Sequence, residues 1–250
     1  MSANAELRPL FILCFHNVFL DEVDTFKHLI DSLDRDFEFI SYSKAINLQS
    51  EYGQKPYLAF SFDDGYKNNF AAAEILARYG ISACFFVCPY LLENRSSLEH
   101  LEFNKKKLGN PPIEFLDWNQ LSTMKNMGHE IGNHTYSHCR VSTETEDKVE
   151  EEILVARDLI VDKMGECKHF AWPYGMFKDF SEVGRKVVFE SGHISCASAV
   201  RGYHIPIEEG INESLCIRRQ AFLGGPRLQH VYYFFLKSLL TEGKATTFPY

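Results

Sequence analysis

Apolar positions along the chain follow two alternating rhythms. Leu10 to Phe15 and Tyr57 to Phe62 are unbroken apolar runs of strand length, the pattern of a strand covered on both faces. Between them Phe26, Ile30 and Leu33 recur at helical spacing. A helix is expected from about Asn69 to Tyr79, with Asn68 or Asn69 as its cap and Gly80 ending it. A strand from Ser82 to Val87 follows, and Pro89 stops it. Trp118 to Met127 reads as a short helix. Val149, Ile153, Ala156, Ile160 and Met164 mark one face of a longer helix beginning near Thr143. His169 to Trp172 and Ile194 to Ala199 read as strands, with a helix from Phe180 to Phe189 between them. Pro226 to Leu240 reads as a closing helix with proline in its first turn.

Strand-then-helix order repeated without pause predicts an α/β fold, with a parallel sheet or barrel joined by right-handed crossovers. It also predicts one domain over residues 1–250. The polar stretch from about Leu91 to Leu116, carrying Gly109-Asn-Pro-Pro112, reads as a long insertion or lid-like loop.

Composition narrows the class. At 250 residues and 45% hydrophobic the chain can bury a sizeable core, yet no stretch approaches the roughly 20 continuous apolar residues of a membrane span. A formal net charge of −8 argues against a nucleic-acid partner, which would need a basic footprint. The basic run Asn104-Lys-Lys-Lys107 reads first as a solvated loop; contact with an anionic substrate group or a peripheral contact with an acidic membrane surface is the sharper reading. The opening Met-Ser-Ala-Asn-Ala-Glu-Leu-Arg has no basic n-region followed by an apolar h-region. Seven scattered cysteines read as reduced, mostly buried thiols. Both features favour the cytoplasm.

Two short runs carry the chemistry. Ser61-Phe-Asp-Asp-Gly65 puts two adjacent carboxylates at the end of an apolar strand, and Asn133-His-Thr-Tyr-Ser-His138 puts two imidazoles four residues apart. One carboxylate and two imidazoles make three ligands and leave a position open on a zinc-like ion, the mark of a catalytic rather than a structural site. The spare carboxylate is then placed to take a proton from an attacking water. Alone, Asp-Asp-Gly is a common turn signal. A His-x-x-x-His run alone only puts two imidazoles on one helix face. Found together, they point to metal-assisted hydrolysis.

These residues resemble the polysaccharide deacetylase superfamily (carbohydrate esterase family 4, the NodB-homology domain). Phe60-Ser-Phe-Asp-Asp-Gly-Tyr66 is similar to the family's first motif. Gly128-His-Glu-Ile-Gly-Asn-His-Thr-Tyr-Ser-His138 is similar to its second, and Phe170-Ala-Trp-Pro-Tyr-Gly175 to its third. Leu13-Cys-Phe-His-Asn-Val18 is similar to a first strand found in many bacterial members, and the resemblance runs from about Leu10 to about Arg219. It implies a distorted (β/α) barrel of about seven parallel strands. It implies Asp63 as general base, and Asp64, His134 and His138 as ligands of one divalent metal ion. Zinc is the first choice, though the same set accepts other divalent ions. The backbone amide of Tyr174 would face the oxyanion, and Trp172, Tyr174 and His16 would contact substrate, with Trp172 equally readable as packing on a helix.

Two departures from the family pattern stand out. The arginine that usually opens the third motif, and orients the base, is Ala171 here. Ile217-Arg-Arg219 is similar to a Leu-x-Arg found near the C-terminus of some members, so Arg219, ahead of Arg218, is expected to approach Asp63 from the opposite side of the barrel. There is also no clean copy of the family's Leu-x-His. That leaves the acid for the departing amine open, with His16 and His193 ranked first. His204 lies in a loop that could reach the site mouth, and Cys139, directly after His138, is set aside as a ligand. The activity implied is metal-dependent removal of an N-acetyl group from an amino sugar in a glycan or glycan precursor. The partner is then an N-acylated sugar or oligosaccharide. The alternatives are a deformylase or deacylase of a lipid- or nucleotide-linked sugar, and a non-catalytic metal-containing carbohydrate-binding protein.

Overall fold

Within each buried strand, alternate side chains enter different cores, and this parity decides what reaches the centre of the molecule. A computed structural model describes residues 8–48, 54–93, 96–108, 113–205, 216–241 and 248. Its strands are β1 (Leu10–Phe15), β2 (Glu38–Phe39), β3 (Tyr57–Phe62), β4 (Ala83–Val87), β5 (Glu130–Asn133), β6 (His169–Ala171), β7 (Ser195–Ala197) and β8 (Gln220–Phe222). Its helices are α1 (Val23–Asp36), α2 (Tyr42–Ile46), α3 (Asn69–Arg78), α4 (Pro89–Leu92), α5 (Ser97–Phe103), α6 (Trp118–Asn126), α7 (Glu146–Met164), α8 (Glu182–Glu190) and α9 (Leu228–Leu240). The main path of the sheet runs β7-β6-β5-β4-β3-β1-β8, every pair parallel, with the two-residue β2 also on β3. This is the distorted (β/α) barrel of seven parallel strands that the resemblance implied.

Leu10, Ile12, Tyr57, Ala59, Cys84, Phe86, Ala171, Ala197 and Ile217 share the interior cluster. Their strand neighbours Phe11, Leu13, Phe15, Leu58, Phe60 and Phe62 join an outer core with Phe26, Ile30 and Leu33 of α1 and Leu76 of α3. The same parity turns Cys14, Ser61 and Asp63 inward. Residues 217–222 then link the two edges of the sheet. Ile217 bridges Ala197 of β7, while Gln220 to Phe222 pair with β1. Arg219 sits between those two contacts and is fully buried.

Strands β1 and β3 fall on their expected bounds, and the other predicted elements shift by one to three residues. Helix α9 begins at Leu228 behind an Arg227 cap, so Pro226 precedes the helix instead of entering its first turn. The stretch from 91 to 116 corrects the loop reading. It carries the end of α4, then α5 and a π-helical turn over Asn104–Leu108. Ser96 and Glu99 form a capping box at the start of α5, a Ser-x-x-Glu signature that was readable in advance. The ring of Phe115 stacks on Tyr66 at 4.9 Å, and Leu116 N–H donates to Gly65 C=O at 2.9 Å, which pins the segment beside the Asp63-Asp64 turn. Its Gly109-Asn-Pro-Pro112 run and the first seven residues lie outside the described ones. All seven cysteines are buried free thiols, as expected. Among the described residues no helix is long and apolar enough to cross a membrane.

Candidate active site

Four non-glycine residues among those described hold a left-handed φ: Asp64 (71°), Thr135 (63°), His138 (56°) and Tyr174 (64°). Such backbone is costly and persists where surroundings enforce it, typically at functional sites. All four stand just beyond the C-terminal ends of β3, β5 and β6, the end of a parallel barrel where chemistry gathers. The Pro-Tyr-Gly turn shows why its glycine is needed. Gly175 has φ 71°, and a Cβ there would meet the Ala199 side chain at 2.3 Å.

Asp64, His134 and His138 are all buried, and one donor atom from each lies within 4.8 Å of the others. Nδ1 of His134 donates to Ala171 C=O at 2.7 Å, so its Nε2 carries the free lone pair. That Nε2 lies 3.3 Å from Asp64 Oδ1, and His138 Nε2 lies 3.2 Å from the same oxygen. Asp64 Oδ1 is buried and has no hydrogen-bond partner among the described residues. Electron pairs facing one another across about 3 Å fit a cation between them. Burial depresses the His134 pKa, but the nearby Asp63 and Asp64 carboxylates more than offset it and raise it. His138 stays below its ordinary pKa through burial, as a neutral ligand requires. Cys139 stays outside the group; burial pushes its thiol up to about 12.

Asp63 is held differently. Arg219 grips it with a fork, Nη1 to Oδ1 at 2.7 Å and Nη2 to Oδ2 at 2.8 Å, and is itself anchored by donating from Nε to Ser198 C=O at 2.7 Å. Burial raises the Asp63 carboxyl, but the Arg219 charge and hydrogen bonds outweigh it and keep the group below its ordinary range. Arg218 points elsewhere, its Nη1 reaching Arg201 C=O at 3.3 Å.

These groups open into a cleft of about 280 Å³ lined by Asp63, Asp64, His16, Tyr174, Leu108 and Leu223, among others. His16 sits on its wall, with Nδ1 3.2 Å from Phe222 C=O. The Tyr174 ring packs edge-on to His138 at 5.0 Å and lies under the Arg140 guanidinium at 4.0 Å. Arg140 in turn pairs with buried Asp179.

Several expectations need correction. Trp172, for which cleft lining and helix packing were equal readings, is among the cleft's lining residues yet fully buried; its ring stacks on Phe180 at 4.4 Å and its Nε1–H donates to Met176 C=O. His193 lies under the sheet against Phe170 and Cys167, away from the cleft, which leaves His16 of the two acid candidates. His204 is buried and braces residue 218, with Arg218 N–H donating to its Nε2 at 3.1 Å. The imidazoles of His134 and His138 meet across a kinked loop, not a helix turn.

The sequence reading missed three supports. Glu152 accepts from Ser137 N–H and Oγ–H, both at 2.8 Å, and fixes the loop between the two imidazoles. Its signal was a carboxylate among the apolar residues of α7, between Val149 and Ile153. Asn133 donates to Ile153 C=O and accepts from Thr135 N–H. Lys107, read as solvated, donates to Ser137 C=O at 2.6 Å, and the adjoining Leu108 enters the cleft.

The chain matches the family model described as polysaccharide deacetylase over residues 50–188. An uncharacterized 30.6 kDa protein in the fumA 3' region of Geobacillus stearothermophilus is 24% identical over 129 residues, which span 50% of this chain and 40% of that protein's length. Solved structures share the fold at low identity. The Streptococcus pyogenes deacetylase PplD in complex with acetate is 16% identical with a TM-score of 0.70, covering 92% of this chain and 99% of that one. IcaB from Ammonifex degensii is 16% identical with a TM-score of 0.71, covering 91% and 97%. The de-N-acetylase from Aggregatibacter actinomycetemcomitans is 17% identical with a TM-score of 0.70, covering 90% and 99%.

Proposed function

Because this chain belongs to the polysaccharide deacetylase family, we propose that it is a metal-dependent hydrolase that removes the N-acetyl group from an amino sugar. The observation that carries this reading is the meeting of two differently held carboxylates in one cleft. Asp64 faces two imidazoles with an oxygen that has no hydrogen-bond partner among the described residues, and Asp63 beside it is locked by an arginine fork. A divalent ion, zinc first, would be held by Asp64, His134 and His138 and would supply Lewis acidity and an activated water when bound. Asp63 takes the proton of the attacking water; its low pKa keeps it ionised and ready to accept. Arg219 holds that carboxylate in one orientation, in place of the arginine absent at Ala171. The Tyr174 amide, on its left-handed turn, donates to the developing oxyanion. His16, on the cleft wall, gives the proton to the departing amine. The names of the fold neighbours, a deacetylase bound to acetate and a de-N-acetylase, support the same reaction class.

The test is acetate release from N-acetylated amino-sugar oligosaccharides of graded length, with zinc-loaded protein beside its Asp63→Asn variant. Acetate from the wild type alone supports the reading. Equal release from both removes Asp63 as the base. Silence from both with metal bound sends the assay to N-acyl sugars on nucleotide or lipid carriers, and silence there too favours a binding protein.

A further inference from the structure

The Asp63 carboxylate has about four lone-pair positions, two on each oxygen. Both positions on Oδ2 are filled. One takes Nη2–H of Arg219 at 2.8 Å and the other takes Sγ–H of Cys14 at 3.3 Å. Oδ1 takes Nη1–H of Arg219 at 2.7 Å, and no second donor to it is found among the described residues. Cys14 reaches Oδ2 because β1 and β3 run in register, with Cys14 beside Ser61 and both facing inward. The thiol is fully buried, and burial raises its pKa well above the ordinary value, so it stays an S–H donor. No cysteine belongs to the metal-binding group.

We propose that Cys14 is a positioning residue whose thiol occupies Oδ2 of Asp63 and leaves Oδ1 as the one oxygen free to take the proton of the attacking water. This rests on the reading of Asp63 as the base. The proton moves from water to Oδ1, and the oxygen it leaves forms the new bond to the acyl carbon. Cys14 itself neither gains nor loses a proton; it stops Oδ2 from competing, so the carboxylate works from one fixed atom.

The experiment compares Cys14→Val with Cys14→Ser in the full chain, measuring kcat, KM, bound metal and thermal midpoint. Valine fills the site with an apolar group slightly larger than the thiol and carries no donor, and serine keeps a donor at some cost in packing. The expected result is a fall of about tenfold in kcat for Cys14→Val, the loss of one weak donor, with KM and metal content unchanged. Cys14→Ser should keep kcat within about twofold. Packing alone predicts the reverse order, since a buried hydroxyl in an apolar site is tolerated worse than a hydrophobic group of roughly similar size. Wild-type kcat in Cys14→Val, or equal loss in both, overturns the proposal. Should either variant fail to fold, the S–H stretch in the infrared decides: Asp63→Asn should move one thiol band to higher frequency, and an unmoved spectrum overturns the contact. Turnover retained by Asp63→Asn would instead sink the base reading, so the two failures are told apart.

Discussion

Arg219 and Asp63 meet as a two-pronged ion pair at the barrel centre, 156 residues apart in sequence and both shut away from solvent. Two hydrogen bonds in one plane fix the rotation of the carboxylate as well as its charge. Removing the arginine strands a buried anion, which typically costs about 3–5 kcal/mol of stability. Arg219→Ala should therefore lose roughly that much in urea unfolding and most of its turnover. Arg219→Lys keeps the charge but cannot reproduce the fork, so it should recover more stability than activity. An Arg219→Ala protein with wild-type kcat would remove the arginine from the mechanism.

That pair also marks how far the sequence could be read. Strands β1 and β3 were legible to the residue because both faces are buried, leaving unbroken apolar runs bounded by polar ones. Strand β8 was not: Gln220-Ala-Phe222 is three residues long and opens on glutamine, which is inside only because Gly202 C=O and Ser238 accept its amide hydrogens. Strand β2 and helix α2 are likewise too short for periodicity to register. The Asp63-Asp64 and His134–His138 runs stand out by residue type alone. Their geometry does not, because the left-handed turns at Thr135 and His138 lean on Asn133, which is tied to Ile153 C=O of α7, and on Glu152 of the same helix. Trp172 was undecidable for a similar reason, since a tryptophan beside a proline turn gives the same pattern whether its ring faces the cleft or Phe180.

The three bare donors predict one divalent ion per chain. Metal analysis of the purified protein by mass spectrometry should give that ratio, and Asp64→Ala or His138→Ala should lower it well below one. Ion binding to the folded state alone should raise the thermal midpoint after chelation and reloading, by the equivalent of about 2.7 kcal/mol at a hundredfold excess over Kd. Full occupancy in Asp64→Ala would place the ion elsewhere.

Glu152 lies behind the loop it holds and touches neither imidazole, so its effect should show in affinity before activity. Glu152→Gln replaces one accepting oxygen with a donor facing Ser137, whose N–H and Oγ–H both need acceptors. Metal affinity should fall by about tenfold to a hundredfold, as for other supports behind a ligand. The far-ultraviolet circular dichroism should stay unchanged. Competition with a chelator of known affinity measures this directly, and an unaltered Kd would reduce Glu152 to a packing role.

Acid sensitivity should come largely from two histidines outside the cleft. Burial depresses His193 and His204 to about 4 each, against roughly 6.5 in the unfolded chain. Between those values the unfolded state binds more protons than the native one, so stability rises with pH there and falls on acidification from about 6.5 toward 4. Each histidine should cost about 2 kcal/mol by pH 5. The lowered carboxyls of Asp63 and Asp64 add their loss only further down, as pH drops below the ordinary carboxylate range toward their folded values. For His204 the cause is burial, with the Arg218 charge lowering the group further, and the backbone hydrogen bond to residue 218 offsets only part of this. His204→Gln keeps an acceptor and removes the titration. Urea unfolding at pH 7.5, 6 and 5 should show the variant losing about half as much stability as wild type over that range. Parallel curves for the two proteins would mean that His204 does not carry the acid response.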